Sequence, residues 1–191
     1  MSKDKRTAMV GTLVLALFLL SLTLTNPGKA LAVDAFLKID GVLGESTDAK
    51  HKDEIAVINW SFGETQSVTA ALAGGGARSG RVTMQDFKFT MRTNKASPKL
   101  FQTCASGEHL QSALLTVRKA DKNQSEFLQI WLSDVLVSSF VSLGSSGGTD
   151  PMEEIMLNFA KIKVSYKPTR ADGSLDAAIE IRWDVQANKK F

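Results

Sequence analysis

Apolar and polar residues alternate strictly over residues 177–185, near the end of the chain. The apolar positions hold Ala177, Ile179, Ile181, Trp183 and Val185. Successive side chains of a β-strand point to opposite faces, so this period predicts a strand with one core face and one polar face. A second alternation places Ile58, Trp60 and Phe62 on one face. Ser61 lies between them, and we expect its side chain to point away from the core.

Two other apolar segments change face midway. The apolar positions change parity between Phe159 and Ile162, and again between Met84 and Phe87. A slip of one residue turns every following side chain to the other face, so each switch predicts a bulge or a strongly coiled strand. Residues 127–137 are apolar on both faces, which predicts cover on both sides, by the domain's own elements or by a neighbouring subunit. These strands suit a curled sheet or barrel.

One helix is predicted, over residues 97–107. Ser97 is expected to cap its N-terminus, Pro98 suits the first helical position, and Gly107 suits the C-terminal cap. The apolar stripe of this helix consists of Leu100, Phe101 and Cys104. A single short helix cannot cover a large sheet, so we expect it to plug an open edge or end of a barrel.

The first 32 residues have the layout of a secretory signal peptide. A charged start precedes an uncharged run over residues 8–25, and Ala30-Leu31-Ala32 supplies the small-residue cleavage pattern. The alternative is an uncleaved membrane anchor, for which the run is short. We therefore expect a leader over residues 1–32 and a single domain over residues 33–191. If the true start codon lies downstream, the protein has no leader. It would then begin in the cytoplasm and be secreted from there.

Charge and cysteine content exclude several classes of protein. The chain has 23 basic and 20 acidic residues, but the leader holds four of the basic residues and one of the acidic. The remaining domain has no formal net charge, so nothing indicates nucleic-acid binding. After leader cleavage we expect no membrane association. Cys104 is the only cysteine and cannot form an intramolecular disulfide, and we expect it to be a small buried apolar residue.

Two glycine-rich stretches imitate catalytic motifs. Residues 74–82, GGGARSGRV, nearly match a phosphate loop, but Arg81 replaces its lysine, Val82 replaces its hydroxyl residue, and a strand follows instead of a helix. We interpret residues 73–80 as a loop. Residues 144–148 match G-x-S-x-G, yet the histidine that must follow the nucleophile in the chain is missing.

The two histidines stand outside any ligand motif. His51 lies in a polar loop, where we expect it to be solvated. His109 follows the predicted helix cap, where it could contact the last carbonyls of the helix. Neither belongs to a C-x-x-C or H-E-x-x-H array. We therefore expect no catalytic residue, no metal site and no cofactor.

Several longer stretches follow one another in a characteristic order along residues 34–191. They are AFLKIDGVLGES, HKDEI, NWSF, GGGARSGRV before MQDFKFT, SPKLFQTCASGEHL, LTVRKA, SDVLVSSF, PMEEIMLNFAKIKVSY, DGS and WDVQANKKF. Together they resemble the haemolysin-coregulated protein (Hcp) family, the tube subunit of bacterial type VI secretion. The resemblance implies a mainly β, barrel-like pair of antiparallel or mixed sheets with one short flanking α-helix. It also implies a non-enzymatic structural subunit.

The same resemblance implies partners. Family members form a homohexameric ring with a wide lumen, rings stack into a tube, and small effector proteins ride inside. A tube tip or a sheath is a further partner. Each subunit of a closed head-to-tail ring presents two different complementary patches. On this basis Ser61 is a candidate lumen-facing residue, and the candidate assembly loop consists of Gly74, Gly75, Gly76, Arg78 and Gly80.

The leader is the one departure from the family pattern. Tube proteins act from the cytoplasm and normally carry no cleavable leader. Three interpretations follow: a periplasmic or extracellular relative that keeps the ring, a start codon placed too early, or an unusual anchor. A competing hypothesis is an exported β-barrel binding module that keeps the fold but has left the secretion machine. A small secreted hydrolase would need a nucleophile with partners, and the sequence offers none for Ser146.

Overall fold

The fold comes from a computed structural model that describes residues 32–69, 78–144, 146–147 and 150–191. Apart from Ala32, the predicted leader lies outside these residues. The described part contains ten strands and one helix. They are β1 Val33–Ile39, β2 Ile55–Val57, β3 Asn59–Ser61, β4 Glu64–Thr69, β5 Arg78–Met84, β6 Phe87–Arg92, α1 Ser97–Ser106, β7 His109–Lys119, β8 Glu126–Leu143, β9 Met152–Tyr166 and β10 Ile179–Asp184. The mainly β prediction with one short helix is confirmed.

Eight strands form one curled antiparallel sheet in the order β2-β1-β7-β8-β9-β6-β3, with β10 added beside β9. The two strands at the ends of this order are neighbours in sequence, separated only by Ile58. The first pairs with β1, and the second pairs with β6. One short segment therefore joins both ends of the sheet and nearly closes it into a barrel. The remaining strands, β4 and β5, form a separate hairpin.

The bend at Ile58 corrects the predicted alternation of this segment. The side chain of Ile58 is exposed, whereas Ile55 and Trp60 pack in or against the core. Ile55 and Trp60 differ in parity, so the chain turns over as it passes from one end of the sheet to the other. The closure of the barrel imposes this turn.

The two predicted switches of parity have different causes. In β9 the buried positions change parity between Phe159 and Ile162, as predicted. At this point the neighbour of β9 on the side away from β8 changes from β6 to β10. Between Met84 and Phe87 the prediction of one strand with a bulge or a strong coil is wrong. The chain ends the small hairpin at Met84 and enters the large sheet at Phe87, so each side of the switch belongs to a different sheet.

The two-faced pattern of β8 also arises in part from a change of face. Ile130 and Leu132 are buried before Asp134, and Val135 and Val137 are buried after it. Asp134 has a φ of 53°, in the left-handed region that asparagine and aspartate tolerate better than most residues. This residue interrupts the pairing on both sides of the strand. The core therefore receives residues of both parities from a single strand.

The helix packs on β8 and ends as predicted, with Gly107 at a φ of 69° and its N–H donating to Thr103 O. Its start differs by one residue, because Ala96 occupies the cap position. Ser97 lies inside the helix and donates its hydroxyl to Glu153 at 2.6 Å. Leu100 is fully buried in the core, while Phe101 of the predicted apolar stripe faces outward.

Candidate assembly surfaces

Both histidines lie in surroundings that differ from the prediction. His51 is buried rather than solvated, because residues 44–54 fold back over β1 and place its ring on Phe36. His109 does not contact the last helical carbonyls, one of which already accepts from Gly107. Instead its Nδ1 lies 2.7 Å from Oδ1 of Asp134, at the edge of a cavity of about 200 Å³. Within the described ranges, no three His, Cys, Asp or Glu side chains are grouped to hold a metal ion.

The candidate assembly loop lies only partly within the described residues. Gly74, Gly75 and Gly76 fall outside them. Arg78 and Gly80 belong to β5, so the strand begins earlier than the sequence predicted. The reason is the hairpin partner β4, whose polar sequence ETQSVT gave no strand signal. Midway along β5, Arg81 ties this hairpin to the C-terminal segment, donating from Nη2 to the carbonyls of Val185 and Gln186 at 2.9 and 2.8 Å.

Ser61 lies in β3 opposite Lys88 of β6 and is exposed. Its neighbour Trp60 packs against the core on the other face. Around Ser61 the outer face is polar, since Lys88 forms an ion pair with Glu154 at 2.7 Å. That Ser61 faces a ring lumen stays a prediction.

The core face of the sheet continues beyond the core at β10. Ile181 pairs with Val164 of β9, which pairs with Ile130 of β8, so the three side chains form one row across the sheet. Ile130 is 1 % exposed, Val164 is half-buried, and Ile181 is 63 % exposed. Ile179 is likewise 62 % exposed in the adjacent row. We call this surface the overhang; it consists of Tyr166, Ile179 and Ile181.

A second exposed apolar surface lies where α1 meets the end of β8. Phe101 projects from the helix and contacts the edge of the Phe140 ring at 5.7 Å between ring centroids. Phe140 is half-buried and pairs with the core residue Ile155, so it faces the helix side of β8. Val141 and Leu143 are also exposed, but they pair with Glu154 and Met152 and lie on the opposite face of the strand. We call the surface at the helix the helix patch; it consists of Phe101 and Phe140. The described residues therefore present two different apolar surfaces on different strands.

Comparison with protein families matches residues 36–166 to the family described as "Type VI secretion system effector, Hcp". The chain is also 46 % identical over 161 residues to Protein hcp1 of Pseudomonas aeruginosa, covering 83 % of this chain and 98 % of that protein. The chain belongs to the Hcp family. This assignment confirms the resemblance drawn from the ordered sequence motifs.

Solved structures agree with the Hcp assignment. Hcp1 from Salmonella typhimurium superimposes with a TM-score of 0.69 at 36 % identity, covering 84 % of this chain and 99 % of that one. The structure of a type six secretion system protein gives a TM-score of 0.79 at 28 % identity, with 84 % of this chain and 100 % of that one covered. A type VI secretion system effector from Yersinia pestis gives 0.62 at 32 % identity, with 80 % and 100 % covered.

As an Hcp protein, the chain is a structural subunit of the type VI secretion tube. In the described part of the chain, no helix is both long enough and apolar enough to cross a membrane. The overhang was missed by sequence reasoning, which placed the apolar residues of 177–185 in a core. The sequence did hold a signal, because a mainly β chain with one short predicted helix leaves apolar area uncovered.

Proposed function

We propose that this Hcp protein acts without enzymatic activity as a homohexameric ring that carries small effector proteins in its lumen. The overhang is the observation that supports association. Ile179 and Ile181 occupy core-face positions of the sheet, yet the described part of their own subunit leaves most of each side chain exposed. Exposed apolar surface of this kind marks a contact with another molecule, and burying it is favourable by about 25 cal/mol per Å².

A closed ring explains why two unlike surfaces are present. In a head-to-tail ring, each subunit uses one patch on one neighbour and a different patch on the other. The overhang lies on β9 and β10, whereas the helix patch lies on α1 and β8. We propose that the overhang of one subunit faces the helix patch side of the next. The number six comes from the family resemblance.

Sedimentation of the full chain tests the ring. We expect a species of six times the chain mass that persists on dilution to micromolar concentration. A strict monomer at high concentration would overturn the proposal, and a dimer with two-fold symmetry would contradict the head-to-tail arrangement.

We propose that stacked rings meet through the hairpin that carries Gly74, Gly75, Gly76, Arg78 and Gly80. Arg81 supports this role, because its two hydrogen bonds attach the middle of β5 to the C-terminal segment. Deleting residues 74–76 should leave single rings intact and reduce their stacking, as seen by electron microscopy. Unchanged stacking would contradict the role of the hairpin.

For the N-terminal segment, we propose a leader over residues 1–32 and one Hcp domain over residues 33–191. The charged start, the apolar run and the A-x-A pattern support export to the periplasm or beyond. N-terminal sequencing of protein from the native host decides the compartment. A new terminus at Val33 supports the leader, an intact N-terminus supports the uncleaved anchor, and an internal start returns the protein to the cytoplasmic route.

A further inference from the structure

Residues 44–54 form a strap over the outer face of the barrel. The strap connects β1 to β2 and closes on itself through backbone hydrogen bonds: Gly44 N donates to Asp53 O at 2.8 Å, and Ser46 N to Glu54 O at 3.0 Å. It covers Phe36 of β1 and Arg118 of β7, which lie on the face opposite the core. Two side chains of the strap, Asp48 and His51, attach it to this face.

The first attachment is an ion pair with a buried guanidinium. Arg118 is 4 % exposed, and its Nη2 donates to Oδ2 of Asp48 at 2.6 Å and to Oδ2 of Asp34 at 3.2 Å. The guanidinium also lies over the ring of Phe36, 4.8 Å from its centroid. The hydrogen bond from Arg118, with backbone N–H donors, lowers the pKa of Asp48 to about 2. This attachment therefore keeps its charges in neutral and mildly acidic solution.

The second attachment is His51, and it is incomplete. Its ring lies flat on Phe36, with 4.4 Å between centroids and an interplanar angle of 7°. Nδ1 is 2.9 Å from Oε2 of Glu54, and because an ionised carboxylate only accepts, Nδ1 carries the hydrogen. Nε2 is buried without a hydrogen-bond partner, 3.7 Å from Oε1 of Glu126 in β8. In the neutral ring, Nε2 presents a lone pair to a carboxylate.

A proton on Nε2 would turn this mismatch into a hydrogen bond. Glu126 is prepared as the acceptor, since Gln129 Nε2 donates to its other oxygen at 3.2 Å and leaves Oε1 free. We propose that His51 is a proton-dependent latch, which on protonation joins the strap to β8 through Glu126. The imidazolium would then donate to Glu54 on one side and to Glu126 on the other.

Four carboxylates and one guanidinium surround His51. Glu54 and Asp48 come from the strap, Glu126 from β8, Asp34 from β1, and Arg118 from β7. Arg118 is the one cation of this group, and it is already paired with Asp34 and Asp48. The two remaining carboxylates are those that contact the imidazole. The strap thus has one permanent attachment and one that depends on pH.

Amide hydrogen exchange of the full chain tests the latch. The readout is the protection factor of Gly44, Ser46 and Asp53, whose amides donate within the strap, at about pH 5.5 and about pH 8, on either side of ordinary histidine titration. A charge-assisted hydrogen bond should raise this protection about tenfold at the lower pH. Protection factors already remove the intrinsic effect of pH on exchange.

Three variants isolate the latch. His51→Gln should abolish the pH dependence, whereas His109→Gln, at the only other histidine, should keep it. Glu126→Gln keeps His51 but removes the charge of its acceptor, and should lose most of the dependence; this variant decides the case if His51→Gln does not fold. Equal strap protection at both pH values in the unchanged protein, or a dependence that survives Glu126→Gln, would overturn the proposal.

Discussion

Ile181 of β10 lies directly opposite Val164 of β9 on the core face of the sheet, and nevertheless 63 % of Ile181 is exposed. The sheet is wider than the core that the described residues of the chain provide. Other strands, the helix and the closing segment cover the middle of the sheet, but β10 extends past them. We propose that a neighbouring subunit covers this face, so that folding and ring assembly would share one surface.

Replacing the overhang isoleucines should break association without unfolding the subunit. For Ile179→Ser/Ile181→Ser we expect loss of the ring in sedimentation, while the free energy of unfolding of the monomer changes by no more than about 0.5 kcal/mol per site, as is usual for exposed positions. Ile58→Ser is the matched control, because Ile58 is also an exposed isoleucine but lies at the barrel closure. A ring that survives the double replacement rules out the overhang as an interface.

Two leucines of β8 should respond very differently to truncation. Leu132 is buried in the core, and Leu132→Ala should cost about 2–5 kcal/mol in the free energy of unfolding because it leaves a cavity. Leu143 lies on the same strand but is exposed, and Leu143→Ala should cost at most about 0.5 kcal/mol in the monomer. Urea unfolding measures both. Similar costs for the two would contradict the position of the core.

Gly44 is required because the strap passes too close for a side chain. A Cβ at this position would overlap the backbone carbonyl of Glu54. Gly44→Ala should destabilise the protein by about 1–3 kcal/mol, the usual cost of forced overpacking. Gly144→Ala is the control, since its Cβ would make only ordinary contact with Pro151. Urea unfolding of the two variants should separate them, and equal stability would mean that the strap moves freely.

The ion pair of Arg118 and Asp48 predicts a loss of stability in acid. The pKa of Asp48 is lowered to about 2 in the folded protein, against about 3.9 in an unfolded chain. A lowered pKa contributes stability that is present above the unfolded value and is lost as the pH falls through the folded one. The stability difference between the unchanged protein and Asp48→Asn should therefore shrink between about pH 4 and about pH 2. A constant difference over that interval would contradict the ion pair.

Ser61 tests the face that was predicted to line the lumen. Ser61→Arg should leave the free energy of unfolding within about 0.5 kcal/mol, because the side chain is exposed. It should change the retention of a small effector protein produced together with the ring. If the ring forms normally and retention is unaffected, Ser61 lies outside the lumen. A loss of folding would show instead that the face was assigned wrongly.

Local sequence patterns predicted the secondary-structure elements better than they predicted what packs around those elements. The alternation of residues 177–185 correctly indicated a strand, and the parity change after Phe159 correctly indicated a switch of face, because both follow from the period of a β-strand. The same reasoning failed at Met84 and Phe87, where the chain moves between sheets. The parity of the apolar positions shows only that the buried face changes. A move from one sheet to another produces the same change of parity as a bulge within one strand.

His51 shows a second limit. Its neighbours in sequence are polar, so solvation was the natural expectation, yet the strap folds back and lays the ring on Phe36. The groups that meet there come from β1, β7, β8 and the strap, and they are up to 92 residues apart, from Asp34 to Glu126. No local sequence pattern can predict a contact between residues so far apart in the chain.

By itself the sequence determined the mainly β class, the helix with its glycine cap, the family and the lack of a recognisable catalytic motif. These depend on residues close together in the chain, or on motifs in a fixed order. Only the tertiary structure decided that the core face of β10 is left exposed and that Arg118 and His51 are buried beneath a strap. Burial is a property of what packs against a residue, and here that is chain from distant parts of the sequence.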